Sequence, residues 1–185
     1  ITLMPIPETE VRAMIEDANR RDYAVLVCGR DVVALHNHKP IFDEIFVQAL
    51  GVNNIDINKP VEPLLSQPVL QLTPFFSEED EKAISPSMPH CVSARWHPSF
   101  TDITVQGADK GNALKQMSKH LGIGLEECIA FGDGGNDMTI LQTAGIGVAM
   151  GNAYEGVKAV ADYVTTSVDE DGIRNAFIHF GIINN

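Results

Sequence analysis

The second half of the chain alternates short apolar runs with segments of helix length, and this alternation constrains the fold more than any other feature of the sequence. It begins near Gly107 and predicts helices over 111–121, 136–143, 154–161 and 172–180, and strands over 128–131, 146–150 and 163–165. Wholly apolar strands separated by helices are typical of a parallel sheet covered on both faces. Because so few strands leave such a sheet incomplete, and because residue 1 is not a methionine, we expect the chain to be a fragment that lacks an N-terminal segment.

The part before Gly107 has a different pattern, which predicts an α+β unit whose mostly antiparallel sheet is covered by helices on one face. Apolar residues at helical spacing predict an amphipathic helix over 7–21. Two β-prone runs flank Gly29-Arg30 and predict a hairpin in which the glycine supplies the unusual backbone angle of the turn. The other predicted elements are helices over 41–50 and from Ser77 onward, and strands over 68–73, 90–96 and 101–105. We therefore divide the chain into two domains, 1–106 and 107–185.

The charge of the chain excludes two classes of partner. Its 185 residues carry a formal net charge of −12, and the sequence pI is about 4.7. Nucleic acids and anionic membrane surfaces attract basic proteins, so we expect neither as a partner. No apolar run is long enough to span a membrane, and the first residues do not have the pattern of a signal peptide. The cysteines show no CxxC spacing, so we expect a cytoplasmic protein without disulfides.

A glycine-rich turn after the strand predicted over 128–131 is the candidate functional site. It reads Gly132-Asp133-Gly134-Gly135-Asn136-Asp137, and parallel sheets bind ligands at the carboxyl ends of their strands. Glycines let the backbone approach a ligand closely, and the carboxylate of Asp133 is the kind of ligand that Mg²⁺ prefers. Asn136 can donate to a phosphate, and Asp137 can cap the next helix, hold a metal-bound water or accept from a lysine. The alternative is an ordinary Asp/Asn/Gly turn without a ligand.

Three segments of the sequence together resemble the haloacid dehalogenase superfamily, and most closely its Cof-type sugar phosphatases. The turn at 132–137, followed by 147–153, resembles the fourth motif of that family and its next strand. Asp109-Lys110-Gly111-Asn112 resembles the lysine motif, and 161–173 the closing segment. Over 1–106 the order of elements is similar to the C2B cap domain that this branch inserts before the lysine. The resemblance implies an incomplete Rossmann-like α/β core joined to an α+β cap.

The resemblance also implies an activity. It points to a Mg²⁺-dependent phosphomonoester hydrolase that acts on a small phosphorylated substrate, a sugar phosphate, through a phosphoaspartyl intermediate. Lys110 would be a catalytic residue that contacts the nucleophile and the phosphate, and Asp133 a catalytic residue that binds the metal. Asn136 would bind phosphate, and Asp137 would support the metal site without contacting the metal. For Lys110 the alternative is a solvated residue that opens a helix.

The first two motifs of the family, an Asp-x-Asp-Gly-Thr turn and a phosphate-binding Ser or Thr, have no counterpart in the sequence. We expect them in the missing N-terminal segment, and we expect the chain alone to be inactive. The run Asp169-Glu170-Asp171-Gly172 has neither the preceding apolar strand nor the following threonine of a nucleophile motif, so we reject it. A noncatalytic remnant that binds a phosphate, or a partner chain at its sheet edge, is the alternative. A cation-pumping ATPase shares the turn's signature but requires membrane spans, so we set it aside.

Overall fold

The computed structural model describes residues 2–52 and 55–184. The chain divides into two compact units, one formed by Leu3–Gln106 and the other beginning at Gly107. The first contains an antiparallel sheet and the second a parallel sheet, which confirms the predicted α/β fold class. Among the described residues no helix is both long enough and apolar enough to cross a membrane.

The first unit is built on a five-stranded sheet of order β2-β1-β3-β5-β4, in which every neighbouring pair is antiparallel. The strands are β1 (Val25–Gly29), β2 (Val33–His36), β3 (Val69–Pro74), β4 (Cys91–His97) and β5 (Phe100–Val105). The helices are α1 (Glu8–Arg21), α2 (Pro40–Phe42), which continues as the π-helix Asp43–Ala49, α3 (Glu62–Leu65) and α4 (Glu78–Ile84), which continues as the 3₁₀ turn Ser85–Ser87. As predicted, Ser77 caps α4: its hydroxyl accepts the N–H of Asp80 at 3.2 Å.

Apolar clusters cover both faces of this sheet, so the prediction that helices cover one face is wrong. Val27 of β1 belongs to a cluster with Met14 of α1, whereas its neighbour Leu26 belongs to a second cluster with Phe42 and Ile45. Successive side chains of a strand point to opposite faces of the sheet. Because β1 is apolar on both faces, both must be shielded from water, and the segment that begins with α2 covers the second.

The β1–β2 hairpin forms as predicted, but its glycine has a different role. Val27 pairs with Ala34, and the N–H of Gly29 donates to the carbonyl of Val32 at 2.8 Å. Gly29 is not among the glycines with positive φ, so the prediction of an unusual backbone angle there is wrong. A Cβ at this position would lie 3.3 Å from the carbonyl oxygen of Val32. The turn therefore needs the space that glycine leaves rather than its conformational freedom.

The helix predicted over 41–50 is α-helical only in its first turn. Asp43–Ala49 is π-helical, and the N–H of Leu50 donates to the carbonyl five residues earlier at 2.9 Å. The rings of Phe42 and Phe46 stack with centroids 5.2 Å apart on the inner side of this segment. Apolar spacing predicts which side chains are buried, but it does not distinguish an α-helix from a π-helix. The π-helix could therefore not be predicted from the sequence.

The second unit contains a three-stranded parallel sheet of order β6-β7-β8. Its strands are β6 (Ile129–Gly132), β7 (Ile146–Ala149) and β8 (Tyr163–Val164), and its helices are α5 (Lys110–Leu121), α6 (Met138–Thr143), α7 (Glu155–Lys158) and α8 (Gly172–His179). Short 3₁₀ turns occur at Leu125–Glu127, Gly135–Asp137 and Val168–Glu170. The helix predicted over 154–161 is shorter than expected because the chain turns back into the sheet, where the N–H of Asp162 donates to the carbonyl of Gly147 at 2.8 Å.

Candidate functional site

The turn after β6 is closed by the side chain of its last residue. Asp137 is buried, and its Oδ2 accepts the backbone N–H groups of Asp133 and Gly134, each at 3.1 Å. A Cβ at Gly132 would collide with the Asp137 side chain, and a Cβ at Gly134 would lie 2.9 Å from Oδ1 of Asn136. Glycine is therefore required at position 132 for close packing, whereas at position 134 the exposed Asn136 side chain could move aside.

Lys110 reaches this turn from the start of α5. Its Nζ forms a salt bridge with Oδ1 of Asp137, and half of the lysine side chain remains exposed. The side chain of Asp109 caps α5 by accepting the N–H of Asn112 at 2.9 Å. The sequence left three roles open for Asp137, and the structure shows one of them: Asp137 accepts a hydrogen bond from Lys110. It also closes its own turn by accepting the backbone N–H groups of Asp133 and Gly134.

Close packing between α5 and α6 brings Lys110 to this position. Gly111 donates its N–H to Oγ1 of Thr139 at 3.1 Å. A Cβ on Gly111 would lie 2.5 Å from the carbonyl oxygen of Thr139 and 2.7 Å from Oγ1 of Thr143. The glycine that follows the lysine thus lets the two helices approach, and the approach places Lys110 beside Asp137.

The surroundings of Asp137 keep it ionised. Its burial would raise the pKa, but the hydrogen bonds from Lys110 and from the N–H groups of Gly134 and Asp133 outweigh this effect. The pKa of Asp137 therefore lies below its ordinary value. A carboxylate that stays charged at neutral pH can hold the ammonium group of Lys110 at the turn, where a second anion could share it.

Asp133 and Asn136 differ from Asp137 because both are exposed. Oδ2 of Asp133 accepts a hydrogen bond from Nδ2 of Asn152 at 3.1 Å. Within the described ranges no hydrogen bond reaches the other oxygen of Asp133 or the side chain of Asn136. Asp133 and Asn136 thus present groups that can bind a ligand, while Asp137 closes the turn and pairs with Lys110.

The two carboxylates of the turn, Asp133 and Asp137, differ in how well they fit Mg²⁺. Among the described residues no three His, Cys, Asp or Glu side chains form a group that could hold a metal ion. Mg²⁺ usually keeps several waters and takes one or two carboxylates together with phosphate oxygens of the substrate. Asp133 fits the role of one such carboxylate, because it is exposed and has an oxygen available. Asp137 does not, because Lys110 and two N–H groups already engage its oxygens.

One residue at this edge of the sheet received no role from the sequence. Asn152 lies inside the segment that carries the family resemblance, and its side chain contacts Asp133 and the backbone N–H of Val168. The acidic run at 169–172 does not directly follow a strand as a nucleophile motif would. It lies at the 3₁₀ turn that leads into α8, where Oε2 of Glu170 accepts from the hydroxyl of Ser167 at 2.7 Å. The hydrogen bonds from Ser167 lower the pKa of Glu170.

Comparisons with known proteins agree on one family. A family model described as haloacid dehalogenase-like hydrolase matches residues 1–177. A solved structure, described as the subclass IIB sugar phosphatase BT4131 of the HAD superfamily, is 42% identical with a TM-score of 0.86, and the match covers 97% of this chain and 69% of that one. YkrA of Bacillus subtilis (strain 168), provisionally named a phosphatase, is 30% identical over 184 residues, which are 97% of this chain and 68% of the relative. YitU of the same organism, named 5-amino-6-(5-phospho-D-ribitylamino)uracil phosphatase, is 31% identical over 153 residues, which are 77% of this chain and 54% of the relative.

Proposed function

The chain belongs to the haloacid dehalogenase-like hydrolase family, and we propose that it carries part of the active site of a Mg²⁺-dependent phosphatase for small sugar phosphates. Membership confirms the resemblance seen in the sequence. The observation that carries the proposal is the Lys110–Asp137 salt bridge, because it holds a cation at the same turn that presents Asp133 and Asn136. An exposed carboxylate and an exposed amide on one turn, with a lysine beside them, are suited to a phosphate group and its metal ion.

The substrate class comes from two relatives. BT4131 is described as a sugar phosphatase, and the name of YitU specifies a phosphorylated ribityl chain as its substrate. Both substrates carry a phosphate ester on a polyhydroxylated carbon chain. We therefore propose a phosphomonoester of a sugar or sugar alcohol, and we assign the unit Leu3–Gln106 the role of the cap domain, which contributes to the choice of substrate.

In this proposal Lys110 and three residues of the turn have separate tasks. The ammonium group of Lys110 donates to phosphate oxygens, and Asn136 donates to the same group through its amide. Asp133 holds Mg²⁺, which when bound neutralises charge on the transferring phosphoryl group. Asp137 stays ionised and keeps Lys110 in place. Because Asp137 already pairs with Lys110 and Asn152 already contacts Asp133, part of this arrangement is in place before the substrate arrives.

The proposed phosphoaspartyl mechanism needs an aspartate nucleophile. Asp137 is occupied by Lys110 and by the backbone of the turn, and Asp133 is assigned to the metal, so neither is free to attack. We assign the nucleophile and the remaining metal ligands to sequence outside these 185 residues. The nucleophile attacks phosphorus, and the bond from phosphorus to the ester oxygen of the sugar breaks. That oxygen takes a proton from a general acid, which we also assign to sequence outside these 185 residues. Water then hydrolyses the acyl phosphate, which releases inorganic phosphate and restores the aspartate.

The experiment uses the full-length protein and follows the release of inorganic phosphate from hexose, pentose and ribitol monophosphates and from an aryl phosphate, with Mg²⁺ or with EDTA. We expect hydrolysis only with Mg²⁺, and a higher kcat/KM for at least one polyol phosphate than for the aryl phosphate. Activity that is unchanged in EDTA would contradict the role of the metal. A preference for the aryl phosphate over every polyol phosphate would contradict the substrate class.

A noncatalytic phosphate-binding protein is the second candidate. It is favoured by one observation, namely that Lys110 and Asn136 offer donors to an anion at this turn whether or not a metal ion is bound. This candidate predicts that the full-length protein binds inorganic phosphate in a calorimeter, that Lys110→Ala weakens this binding, and that no phosphomonoester is hydrolysed. Phosphate release under any of the conditions above would exclude it.

A further inference from the structure

We propose that Asn152 is a positioning residue that fixes the carboxylate of Asp133 for its cation. The inference rests on the proposed function, because it assumes that Asp133 binds Mg²⁺. Asn152 contacts Asp133 and can hold this exposed carboxylate in one orientation.

Two hydrogen bonds fix the Asn152 side chain. Its Nδ2 donates to Oδ2 of Asp133 at 3.1 Å, and its Oδ1 accepts the backbone N–H of Val168 at 3.1 Å. Rotating the amide by 180° would place an oxygen against a carboxylate oxygen and an NH₂ group against an N–H donor. Both partners therefore require the same orientation of the amide, and the donor side must face Asp133.

The position of Asn152 in the fold makes this link possible. Asp133 follows β6, Asn152 follows β7 and Val168 follows β8, so one side chain joins the loops at the carboxyl ends of all three strands of the sheet. The backbone beside Asn152 is also held: Met150 donates to the carbonyl of Gly132 at 2.9 Å, and Gly151 to the carbonyl of Thr166 at 3.0 Å. Asn152 therefore projects from a fixed point of the sheet.

The two carboxylate oxygens of Asp133 differ in their contacts. Oδ2 is taken by Asn152, and within the described part of the chain no hydrogen bond reaches Oδ1. An exposed aspartate without this contact would sample several rotamers, and metal binding would have to select one of them. Residues that orient a metal-binding side chain typically change metal affinity or activity by about 10–100-fold when they are removed. Because Asn152 is exposed to water, we expect the lower end of that range.

The test measures binding of Mn²⁺, as a paramagnetic probe for the Mg²⁺ site, to the full-length protein by electron paramagnetic resonance without substrate. Asn152→Ala should raise the dissociation constant about tenfold. In the hydrolysis assay it should raise the Mg²⁺ concentration for half-maximal rate by a similar factor, while kcat at saturating Mg²⁺ stays within about threefold of the unaltered protein. A merely structural loss would instead lower kcat at every Mg²⁺ concentration.

Asn175→Ala is the matched control. Asn175 donates to Oγ1 of Thr166 at 2.9 Å and to the carbonyl of Glu170 at 2.8 Å, so this variant loosens the loop after β8 without touching Asp133. We expect it to lower the melting temperature and to raise the Mn²⁺ dissociation constant by much less than Asn152→Ala does, because it leaves the Asn152 amide in contact with Asp133. Thermal unfolding of both variants separates loss of fold from loss of positioning.

Three outcomes are informative. If Asn152→Ala binds Mn²⁺ as tightly as the unaltered protein, or if Asn175→Ala weakens binding equally, the positioning role is wrong. If Asp133→Asn loses metal-dependent activity while Asn152→Ala is unaffected, the inference fails and the proposed function stands. If Asp133→Asn keeps full Mn²⁺ binding and activity, the proposed function fails, and the role of Asn152 fails with it.

Discussion

Replacing Asp137 with asparagine tests the pairing that holds Lys110 at the turn. One oxygen of Asp137 faces the Lys110 ammonium, and the other accepts the N–H groups of Asp133 and Gly134 at 3.1 Å each. Asparagine has one oxygen and one NH₂ group, so it can serve only one of these sides. We expect its oxygen to stay with the two backbone donors, since an unpaired buried donor costs about 1–3 kcal/mol. The NH₂ group then faces Lys110, donor against donor.

The size of the effect follows from the exposure of the pair. The lysine side chain is 50% exposed and that of Asp137 is 10% exposed, so Lys110 can turn into water when its partner is lost. The cost to stability is then one solvent-screened, charge-assisted hydrogen bond, about 1 kcal/mol. In a protein of this size that corresponds to about 2–4 °C in melting temperature. The rate suffers more, because removing one fixed donor from a transition state costs about 10²-fold or more.

Scanning fluorimetry and phosphate release by the full-length protein measure both effects. Lys110→Met removes the same pairing from the other side, and it should lower kcat/KM by a similar factor. The double variant Asp137→Asn with Lys110→Met should lose little more than either single variant, because two residues that act as a unit give non-additive losses. Strictly additive losses, or an Asp137→Asn variant with unaltered kcat/KM, would refute the reasoning.

Three further predictions concern Gly111, the pKa of Asp137 and Ser77. Gly111→Ala should destabilise the second unit by about 1–3 kcal/mol and lower kcat/KM, because its Cβ would lie 2.5 Å from the carbonyl oxygen of Thr139 and force apart the helices that place Lys110; chemical denaturation and kinetics check this. Because the pKa of Asp137 is lowered in the folded state, its charge stabilises the fold at pH values above the ordinary pKa of 3.8, and this contribution is lost as the pH falls through the folded-state pKa. The difference in free energy of unfolding between the unaltered protein and Asp137→Asn, measured by urea unfolding, should therefore be smaller at pH 3 than at pH 7. Ser77→Ala should cost the first unit about 1 kcal/mol through loss of the α4 cap and leave kcat/KM unchanged, as calorimetry and kinetics would show.

Much of the fold could be predicted because it depends on local patterns. Apolar runs alternating with helices predicted the parallel sheet, and Ser77 predicted the start of α4. Non-local features were missed for a physical reason. The covering of the second face of the first sheet and the π-helix at Asp43–Ala49 depend on which distant side chains meet, and spacing along the chain does not specify that.

The candidate site shows the same limit. The turn and the lysine were located from their motifs, and the structure places Lys110, Asp133, Asn136 and Asp137 at that turn. The sequence left three roles open for Asp137, and only packing between α5 and α6 shows which donor reaches it. Asn152 could not be given a role in advance, because its partners lie in the loops that follow two other strands of the sheet.

The central claim is that Asp133 binds the catalytic metal, and the most direct measurement is Mg²⁺-dependent kcat/KM for Asp133→Asn against Asp169→Asn in the full-length protein. Both aspartates are exposed residues near the same edge of the parallel sheet, and Asp169 belongs to the acidic run that we reject as a nucleophile. We predict that Asp133→Asn loses about 10²-fold or more, because metal neutralisation of phosphoryl charge is worth several kcal/mol, with the melting temperature nearly unchanged. Asp169→Asn should retain full activity. Undiminished activity in Asp133→Asn, or a comparable loss in Asp169→Asn, would contradict the account.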